Sequence, residues 1–365
     1  MGLILGIEST CDETAAAVVE DGVRVRSSVV ATQYALHAKF RGVVPEVASR
    51  AHLQAVVPVV REAMAQAGVR PGDLAAVAVA QRPGLIGSLL IGLTAAKALA
   101  WAWERPLVAV DHIQAHLYAC RLDPPGERAS RPVSFPAAGA VLSGGHTALY
   151  ALEDWVRVTR VGGTIDDALG EAYDKVAATL GLGFPGGPEV ARLADEGDPN
   201  AVRFPRSLFD RDSLDLSFAG LKTAVLYRAL GPKGTARAPA DIPRQEKADI
   251  AASFQAACLD VVEEKLRRLL RRLGSRTLLL GGGVVSNRAL RERLARLPAD
   301  LHLPHPAYCT DNAAMIAGLG DVLLRRGAIA PLDIDAVPQG MADPVSMETP
   351  GAASATSTAG HAPGR

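Results

Sequence analysis

Two parts of this chain open with the same series of β-rich segments, and this duplication constrains the fold more than any other feature. The first series covers residues 3–10, 15–20 and 23–30, and the second covers residues 137–142, 147–152 and 156–161. Asp21-Gly22, between the second and third segments, is a strong two-residue hairpin signal. Each half therefore opens on a hairpin and not on a strand–helix–strand unit, which predicts two related α/β halves.

Length and composition agree with a body of two lobes. A single hydrophobic core stops growing at about 250–300 residues, and this chain has 365. Apolar residues make up 48% of the chain and charged residues 21%, which is the balance of a globular protein. After Val337 the sequence is rich in Ala, Ser, Thr, Gly and Pro and loses its periodicity, so we predict a disordered tail at residues 338–365.

Charge and hydropathy limit the possible partners and location. Lys plus Arg equals Asp plus Glu at 39 each, so an RNA partner must meet a local basic patch. No apolar run reaches the roughly 18 residues that cross a bilayer, and the four scattered cysteines fit a reduced, cytoplasmic protein. The candidate patches lie on two predicted helices and contain Arg267, Arg268, Arg271 and Arg272, and Arg288, Arg291, Arg293 and Arg296.

His112 and His116 begin a predicted helix after a buried-type strand. At a spacing of four, both imidazoles project from one helix face and can bind one metal ion. Asp311, at the start of the last predicted helix, can add a carboxylate and complete a two-His, one-carboxylate set with open coordination positions. Two ordinary interpretations stay open: the histidines can be plain core or surface residues, and Asp311 can be a helix N-cap.

The residue after His112 bears on the class of reaction. In the H-E-x-x-H motif of metalloproteases, a glutamate at this position is the general base beside the zinc ligands. Here the position is Ile113. Hydrolysis by that mechanism is therefore disfavoured.

Three turns after predicted strands combine small or acidic residues. Residues 143–147 (Ser-Gly-Gly-His-Thr) can bring backbone N–H groups to a phosphate or acyl oxygen, and a plain tight hairpin explains them equally well. Residues 8–14 hold three acidic side chains, which indicate a nearby metal, amine or polarised water, or else a solvated turn. Residues 281–287 start with three glycines and can receive an adenosine ribose or base, but they form neither a G-x-G-x-x-G motif nor a P-loop. Asp174 and Gly187 are further candidate ligand contacts.

Six motifs in order resemble the tRNA N6-adenosine threonylcarbamoyltransferases, the TsaD/YgjD family formerly called O-sialoglycoprotein endopeptidases. The resemblance covers about residues 3–327. Two departures from the family pattern are Arg82, before Pro83-Gly84-Leu85, where Gly is expected, and Ala219, where Ser is common. The motifs are residues 6–14 (GIESTCDET), 45–50 (PEVASR), 112–116 (HIQAH), 143–147 (SGGHT), 218–223 (FAGLKT) and 309–312 (CTDN).

This resemblance implies an α/β fold of the actin, Hsp70 and sugar-kinase (ASKHA) type, in which two duplicated lobes enclose a nucleotide. The N-terminal lobe is expected at residues 1–111, completed by a C-terminal helix at 309–327, and the C-terminal lobe with helical insertions at 112–308. His112, His116 and Asp311 match the metal ligands, with Fe2+ as the expected ion and Zn2+ as the alternative. The implied substrate-binding positions are Val141, Leu142, Ser143, Gly144, Gly145, Asp174, Gly187 and Asn287.

The implied reaction is a metal-dependent transfer of threonylcarbamoyl from threonylcarbamoyl-AMP to N6 of the adenosine 3′ of the anticodon, in tRNAs that read ANN codons. We assign Asp12 a catalytic role and Glu13 a supporting one. The cleft is expected to hold the adenylate donor or ATP. The expected partners are tRNA, a paralogous subunit of the TsaB type and a small P-loop ATPase of the TsaE type, with no membrane.

Three other functions stay open at this level. A small-molecule phosphotransferase can share the fold, because fold does not decide function, but it does not explain the histidine pair. A non-catalytic scaffold has little reason to keep the three ligands together with both glycine turns. A metal-dependent protease is disfavoured by Ile113.

Overall fold

Two five-stranded sheets form the body of the protein. The computed structural model describes residues 2–40, 42–128, 130–209, 212–232 and 236–339, so the predicted tail lies outside it except for residues 338 and 339. The first sheet contains β1 (Leu3–Glu8), β2 (Glu13–Glu20), β3 (Arg24–Thr32), β4 (Leu74–Arg82) and β5 (Leu107–Asp111). The second sheet contains β6 (Ala137–Leu142), β7 (Thr147–Leu152), β8 (Val158–Gly163), β9 (Thr277–Gly281) and β10 (Asp300–His302).

Helices cover both faces of the two sheets. In chain order they are α1 (Tyr34–His37), α2 (Pro45–Ala67), α3 (Ile86–Ala102), α4 (His112–Tyr118), α5 (Leu169–Leu180), α6 (Gly186–Ala194), α7 (Ala219–Leu230), α8 (Arg244–Leu273), α9 (Arg288–Leu294) and α10 (Ala313–Arg325).

The two sheets have the same topology, which confirms the predicted duplication. Their strand orders are β3-β2-β1-β4-β5 and β10-β9-β6-β7-β8. In each sheet the first three strands pair antiparallel, and the last two add in parallel to the free side of the first strand. Asp21 and Gly22 have φ values of 51° and 72° in the turn between β2 and β3. Two left-handed residues are what a two-residue hairpin of the predicted kind requires.

The first sheet is buried on both faces because its side chains alternate between two cores. Leu5 and Ile7 of β1 pack with apolar residues of α2 and α3, whereas Ile4 packs with residues of α10. Gly6 lets α10 lie directly on the strand, since a Cβ there would come within 2.2 Å of the Ala313 carbonyl oxygen. The last helix of the chain therefore packs on the sheet formed by the first residues.

Helix α4 lies between the two sheets. Its Ala115 belongs to the core beneath α10, while Ile113 and Leu117 pack against the second sheet. The other face of that sheet packs on α5, α6, α7 and α8. The histidines of α4 thus lie at the junction of the two halves, where the active cleft of an actin-like protein is expected.

The predicted basic patches are largely neutralised by neighbouring groups. Arg291 donates hydrogen bonds to the carbonyl oxygens of Val285 and Pro304 and so has a structural role. Arg296 is the exception, since it is exposed and forms no ion pair with the residues that the structure describes. The ion pairs are Arg267–Glu263, Arg268–Glu264, Arg271–Glu264, Arg272–Asp212, Arg288–Asp195 and Arg293–Asp260. In the part of the chain that the structure describes, no helix combines the length and hydropathy that a membrane span requires.

Candidate metal centre and substrate cleft

His112, His116 and Asp311 converge at the junction of the two sheets, although 195 residues separate the last two. Oδ1 of Asp311 lies 3.1 Å from Nε2 of His116 and 3.7 Å from Nε2 of His112. The two imidazole rings meet edge to face, with centroids 4.6 Å apart. One ligand atom from each residue lies within 4.8 Å of the other two. The three donors can therefore face a common point.

The start of α4 is held by Asp111 and Arg82. Oδ1 of Asp111 caps the helix by accepting hydrogen bonds from the backbone N–H groups of Ile113 and Gln114, at 2.9 and 3.0 Å. Its Oδ2 accepts from Nε of Arg82 at 3.1 Å. Arg82 and Asp111 are partners in the β4–β5 register. The residue that departs from the family pattern at position 82 therefore supports the helix that carries both histidines.

Asp311 is not the cap of the last helix. Asn312 fills that role, since its Oδ1 accepts from the Met315 backbone N–H at 3.0 Å and its Nδ2 donates to the Thr310 carbonyl oxygen at 2.8 Å. The N-cap interpretation of Asp311 is therefore wrong by one residue. The carboxylate of Asp311 is left to face the histidines.

Glu8 forms the outer support of His112. Its carboxylate is fully buried and accepts a hydrogen bond from Nδ1 of His112 at 2.8 Å, while its other oxygen accepts from the Thr10 backbone N–H at 2.6 Å. A carboxylate behind a histidine fixes the tautomer that leaves the Nε2 lone pair for a metal ion. The sequence marks Glu8 only as one of three acidic residues in its turn.

The donor set fits one divalent cation. Two nearly buried imidazoles and one carboxylate match the preferences of Fe2+ and Zn2+, and the Asp311 side chain is about 20% exposed, which leaves the cluster open on one side. Glu8 gives His112 the outer carboxylate that metal-ligating histidines usually have. Among the described residues, Nδ1 of His116 has no hydrogen-bond partner, so His116 lacks the outer support that His112 receives from Glu8.

The electrostatics of the cluster follow from burial and mutual attraction. Burial disfavours the charged form of His112, but the charges of Glu8 and Asp311 outweigh it and raise the pKa of His112 to about 9. Burial alone would raise the pKa of Asp311, whereas His112 and His116 hold it well below its usual range. Burial and the two neighbouring histidines lower the pKa of His146 to about 4. A cation is therefore attracted chiefly by Glu8 and Asp311.

Asp12 and Glu13 lie in the acidic turn beside this cluster. Both side chains are buried, and Glu13 has its pKa raised to about 10 by burial and by the charges of Asp311 and Asp12. This environment favours the protonated form of Glu13, which can therefore donate a hydrogen bond to Asp12.

His52 of α2 holds the acidic turn in place. Its Nε2 donates to the Cys11 carbonyl oxygen at 3.0 Å, and its Nδ1 accepts from Oγ1 of Thr14 at 2.7 Å. The ring is fully buried. Sequence reasoning missed this residue, and the available signal was its position two residues after the PEVASR motif.

The candidate substrate residues of β6 and its turn divide into two kinds. Val141 and Leu142 are fully buried with side chains in opposite cores, so only their backbone can face a ligand. Gly144 and Gly145 are exposed, and a Cβ at either position would meet no atom within 4 Å. Packing does not require glycine there, so these glycines keep space open beside Ser143.

Asp174 and Gly187 lie on the helices that follow this turn. The N-terminus of α5 is tied to the turn, because the Gly170 backbone N–H donates to the Ser143 carbonyl oxygen at 3.1 Å. Oδ1 of Asp174 accepts from the Gly186 backbone N–H at 2.7 Å and so orients the start of α6. Gly187 follows, again with open space where a Cβ would be. The turn is thus joined to α5 by a backbone hydrogen bond, and α5 is joined to the start of α6 by Asp174.

Asn287 and the glycine triplet before it have structural explanations of their own. The Asn287 side chain caps α9 by accepting from the Leu290 backbone N–H at 3.0 Å, and it donates to Gln255 at 2.8 Å. A Cβ at Gly281 would come within 2.2 Å of the His116 carbonyl oxygen, and one at Gly282 within 2.4 Å of the Leu142 carbonyl oxygen. Close backbone packing explains these two glycines, whereas Gly283 has room beside it.

Comparisons with known proteins agree over nearly the whole chain. A profile of the family described as "TsaD: tRNA N6-adenosine threonylcarbamoyltransferase" matches residues 24–318. A protein of that name from Rhodopirellula baltica is 48% identical over 350 residues, covering 92% of this chain and 96% of the relative. Another from Symbiobacterium thermophilum is 50% identical over 343 residues, covering 92% of this chain and 96% of the relative.

Solved structures support the same fold. Full-length HypF in its phosphate- and nucleotide-bound form has a TM-score of 0.57 at 13% identity, covering 90% of this chain and 47% of that one. Component A of the Acidaminococcus fermentans (R)-2-hydroxyglutaryl-CoA dehydratase has a TM-score of 0.51 at 12% identity, covering 90% of this chain and 100% of that one. At these identities the likeness shows the fold alone, and it confirms the two-lobed, actin-like class.

Proposed function

The chain belongs to the tRNA N6-adenosine threonylcarbamoyltransferase family, and we propose that its metal cluster and glycine turn together carry out the transfer for which that family is named. The enzyme forms N6-threonylcarbamoyladenosine from threonylcarbamoyl-AMP and the adenosine 3′ of the anticodon, in tRNAs that read ANN codons. The observation that carries the assignment of the site is the convergence of His112, His116 and Asp311, with His146 of the glycine turn beside them. A phosphotransferase of the same fold does not explain this histidine and aspartate cluster.

His112, His116 and Asp311 hold one divalent cation in this proposal, Fe2+ or Zn2+. When bound, that ion supplies a Lewis acid that polarises an oxygen of the carbamoyl donor. Glu8 keeps the Nε2 lone pair of His112 available, and Arg82 with Asp111 fixes the start of the helix that carries both imidazoles. The buried carboxylates of Glu8 and Asp111 thus orient one face of α4.

The open glycine surface receives the adenylate end of the donor. Backbone N–H groups of Gly144 and Gly145 can approach a phosphate closely because no side chain intervenes at the two glycines. Ser143 closes the turn that presents them, since its backbone N–H donates to the His146 carbonyl oxygen at 2.7 Å. Asp174 and Gly187 continue that surface along α5 and α6, and Asn287 contributes from the start of α9. A donor held in this way would have its carbamoyl group beside the cluster, and a cation held by His112, His116 and Asp311 would stabilise negative charge that develops on the carbamoyl oxygen.

Asp12 accepts the proton of the N6 amine as the new N6–carbon bond forms. The bond between the carbamoyl carbon and the phosphate oxygen breaks at the same carbon, and AMP leaves with the electron pair. Glu13, which keeps its own proton, hydrogen-bonds Asp12 and holds it in position. An exocyclic amine is a poor nucleophile, so proton removal and polarisation of the carbonyl act together.

The proposal includes two partner subunits and a cytoplasmic location. An exposed apolar row on α2 and α3, formed by Leu53, Val57, Ile86 and Leu90, is suited to a paralogous subunit of the TsaB type. A small ATPase of the TsaE type completes the assembly. The four free cysteines support a reducing, cytoplasmic location.

Reconstitution with threonylcarbamoyl-AMP, the two partner subunits and unmodified tRNA tests this function. We expect N6-threonylcarbamoyladenosine in digests of a tRNA that reads an ANN codon, measured by mass spectrometry of its nucleosides. The matched control is the same tRNA with guanosine at the acceptor position, which lacks the N6 amine and should give no product. Transfer of labelled γ-phosphate to a small molecule, without any modified nucleoside, would support the kinase instead.

A further inference from the structure

A cavity adjoins the metal cluster on the side of α4, and it shares only Gly145 with the proposed donor surface. Its volume is about 270 Å³, and it lies between α4 and the outer strands of the second sheet. Ile113 of α4 forms one wall, and the opposite wall comes from β7 and β8. Gly145 and His146 of the glycine turn also line it. His146 in turn lies within electrostatic reach of His112, His116 and Asp311, so the cavity extends up to the cluster.

The cavity and the donor surface lie on opposite faces of the second sheet. Successive side chains of a strand alternate between its faces, and in β7 Ala148 and Tyr150 face α4, whereas Leu149 faces the core of α5 and α8. Asp174 and Gly187 belong to α5 and α6, on the Leu149 side. A donor bound along those helices and a second reactant in the cavity would meet at residues 143–146 from different directions.

The walls of the cavity are suited to a flat, heteroaromatic ring. Tyr150 supplies an aromatic surface, and Ile113, Ala148 and Val158 supply apolar contacts. The volume lies just below the roughly 300 Å³ at which pockets for small molecules begin, which fits a single base and not a whole nucleotide. Unstacked bases of RNA loops are commonly held by stacking on aromatic side chains.

Arg160 adds a positive charge at the mouth of the cavity. Its side chain is exposed, and it forms no ion pair with any carboxylate among the described residues. Arg157, three residues earlier, is instead paired with Asp154 at 3.1 Å and with Glu153 at 3.4 Å. Arg160 is therefore available to a phosphate in a way that Arg157 is not.

We propose that this cavity is the acceptor subsite: it receives the base of the target adenosine, turned out of the anticodon loop, while Arg160 contacts a flanking backbone phosphate. This proposal rests on the transferase function and assigns the tRNA side of the reaction to named residues. Turning a base out of its stack brings its exocyclic amine to a buried catalytic group, as in other enzymes that modify bases. The donor and acceptor then reach the cluster from opposite faces of one sheet.

Binding of a base-labelled tRNA tests the subsite without requiring turnover. The probe is the substrate tRNA with 2-aminopurine at the acceptor position, titrated into the full chain with its partner subunits. We expect its fluorescence to change when the base leaves the loop and packs against Tyr150. Val158→Phe, which fills the cavity from its wall, should abolish that change while the KM for threonylcarbamoyl-AMP stays within twofold of the wild-type value.

Charge removal at the mouth provides a second, surface-exposed variant that does not disturb the core. Arg160→Gln should raise the KM for tRNA about tenfold, as expected for one lost charge-assisted contact. It should also reduce the slope of log affinity against log salt concentration by about one. The matched variant Arg157→Gln should change neither quantity, because that arginine is already paired.

Three results would overturn the assignment. The first is a fluorescence change in Val158→Phe as large as that of the wild type. The second is equal tRNA affinities and salt slopes for Arg160→Gln and Arg157→Gln. The third is a variant in which the KM for threonylcarbamoyl-AMP rises while the KM for tRNA does not. The last result would mean that the cavity holds part of the donor. Failure of the transferase function itself would appear differently, as absence of modified nucleoside from the wild-type chain.

Discussion

Replacing Glu8 with glutamine tests whether the buried carboxylate behind His112 sets the ligand state of the cluster. The two oxygens of Glu8 accept hydrogen bonds from Nδ1 of His112 and from the Thr10 backbone N–H, at 2.8 and 2.6 Å. A glutamine of the same size has one acceptor oxygen and one donating NH2 group. In Glu8→Gln, the glutamine NH2 group must therefore lie against either Nδ1–H of His112 or the Thr10 backbone N–H, which places two donors opposite each other.

His112 can relieve this conflict by changing its tautomer. Nδ1 then accepts from the glutamine NH2 group, and the hydrogen moves to Nε2, which faces Asp311 at 3.7 Å. A metal ion requires the lone pair at that nitrogen. Loss of an outer partner of this kind costs about 10–100-fold in metal affinity, which corresponds to about 1.4–2.8 kcal/mol.

Competition against a chromophoric chelator measures this change directly, with Fe2+ under anaerobic conditions and with Zn2+. We expect Glu8→Gln to bind both ions about 10–100-fold more weakly than wild type. Glu62→Gln, at an exposed carboxylate of α2, is the matched control and should bind them normally. Unchanged affinity in Glu8→Gln, with an unchanged thermal unfolding midpoint, would refute the role given to this carboxylate.

Three further predictions separate binding from stability. Gly144→Ala should leave the free energy of unfolding unchanged or raise it by about 0.4–1 kcal/mol, because the new methyl group meets no atom within 4 Å. The same variant should raise the KM for threonylcarbamoyl-AMP. An unchanged KM would remove Gly144 from the donor surface. Gly281→Ala should lower the free energy of unfolding in urea by about 1–3 kcal/mol, because its Cβ would lie 2.2 Å from the His116 carbonyl oxygen; wild-type stability would contradict the packing explanation. Burial opposes ionisation of Asp154, but the backbone N–H groups of Arg157 and Val156 and the Arg326 side chain lower its pKa from the ordinary value of 3.8 to about 2. The stabilisation that Asp154 provides is therefore present above its unfolded pKa and is lost as pH falls toward 2. Asp154→Asn should therefore lower stability at pH 7 by about 1 kcal/mol after solvent screening and flatten the acid limb of the unfolding curve, and an unaltered acid limb would contradict this.

The duplicated sheet order could be predicted from the sequence because its signals are local. Strand alternation and the Asp21-Gly22 turn depend on a few neighbouring residues. The spacing of His112 and His116 on one helix is equally local. These local signals do not fix the residue at which a helix begins, since the last helix begins after Asn312 and not at Asp311. A one-residue difference there decided whether Asp311 caps a helix or faces the cluster.

The remaining features of the site depend on contacts between distant segments. The Glu8–His112 hydrogen bond joins residues 104 positions apart, and the Arg82–Asp111 pair depends on the register of two parallel strands. Periodicity carries no information on either. The ion pair of Arg267 with Glu263 could be predicted from the sequence, because oppositely charged residues four apart on a helix commonly pair. That local signal already argues against a free basic patch on α8.

Parallel measurement of metal content and product for single ligand variants tests the central claim most directly. His112→Ala, His116→Ala and Asp311→Ala should each lose the bound ion and the ability to form N6-threonylcarbamoyladenosine in the reconstituted reaction, while Arg157→Gln keeps both. We expect metal content and product to fall together in all three ligand variants. Full metal content and full product in any one of them would contradict it.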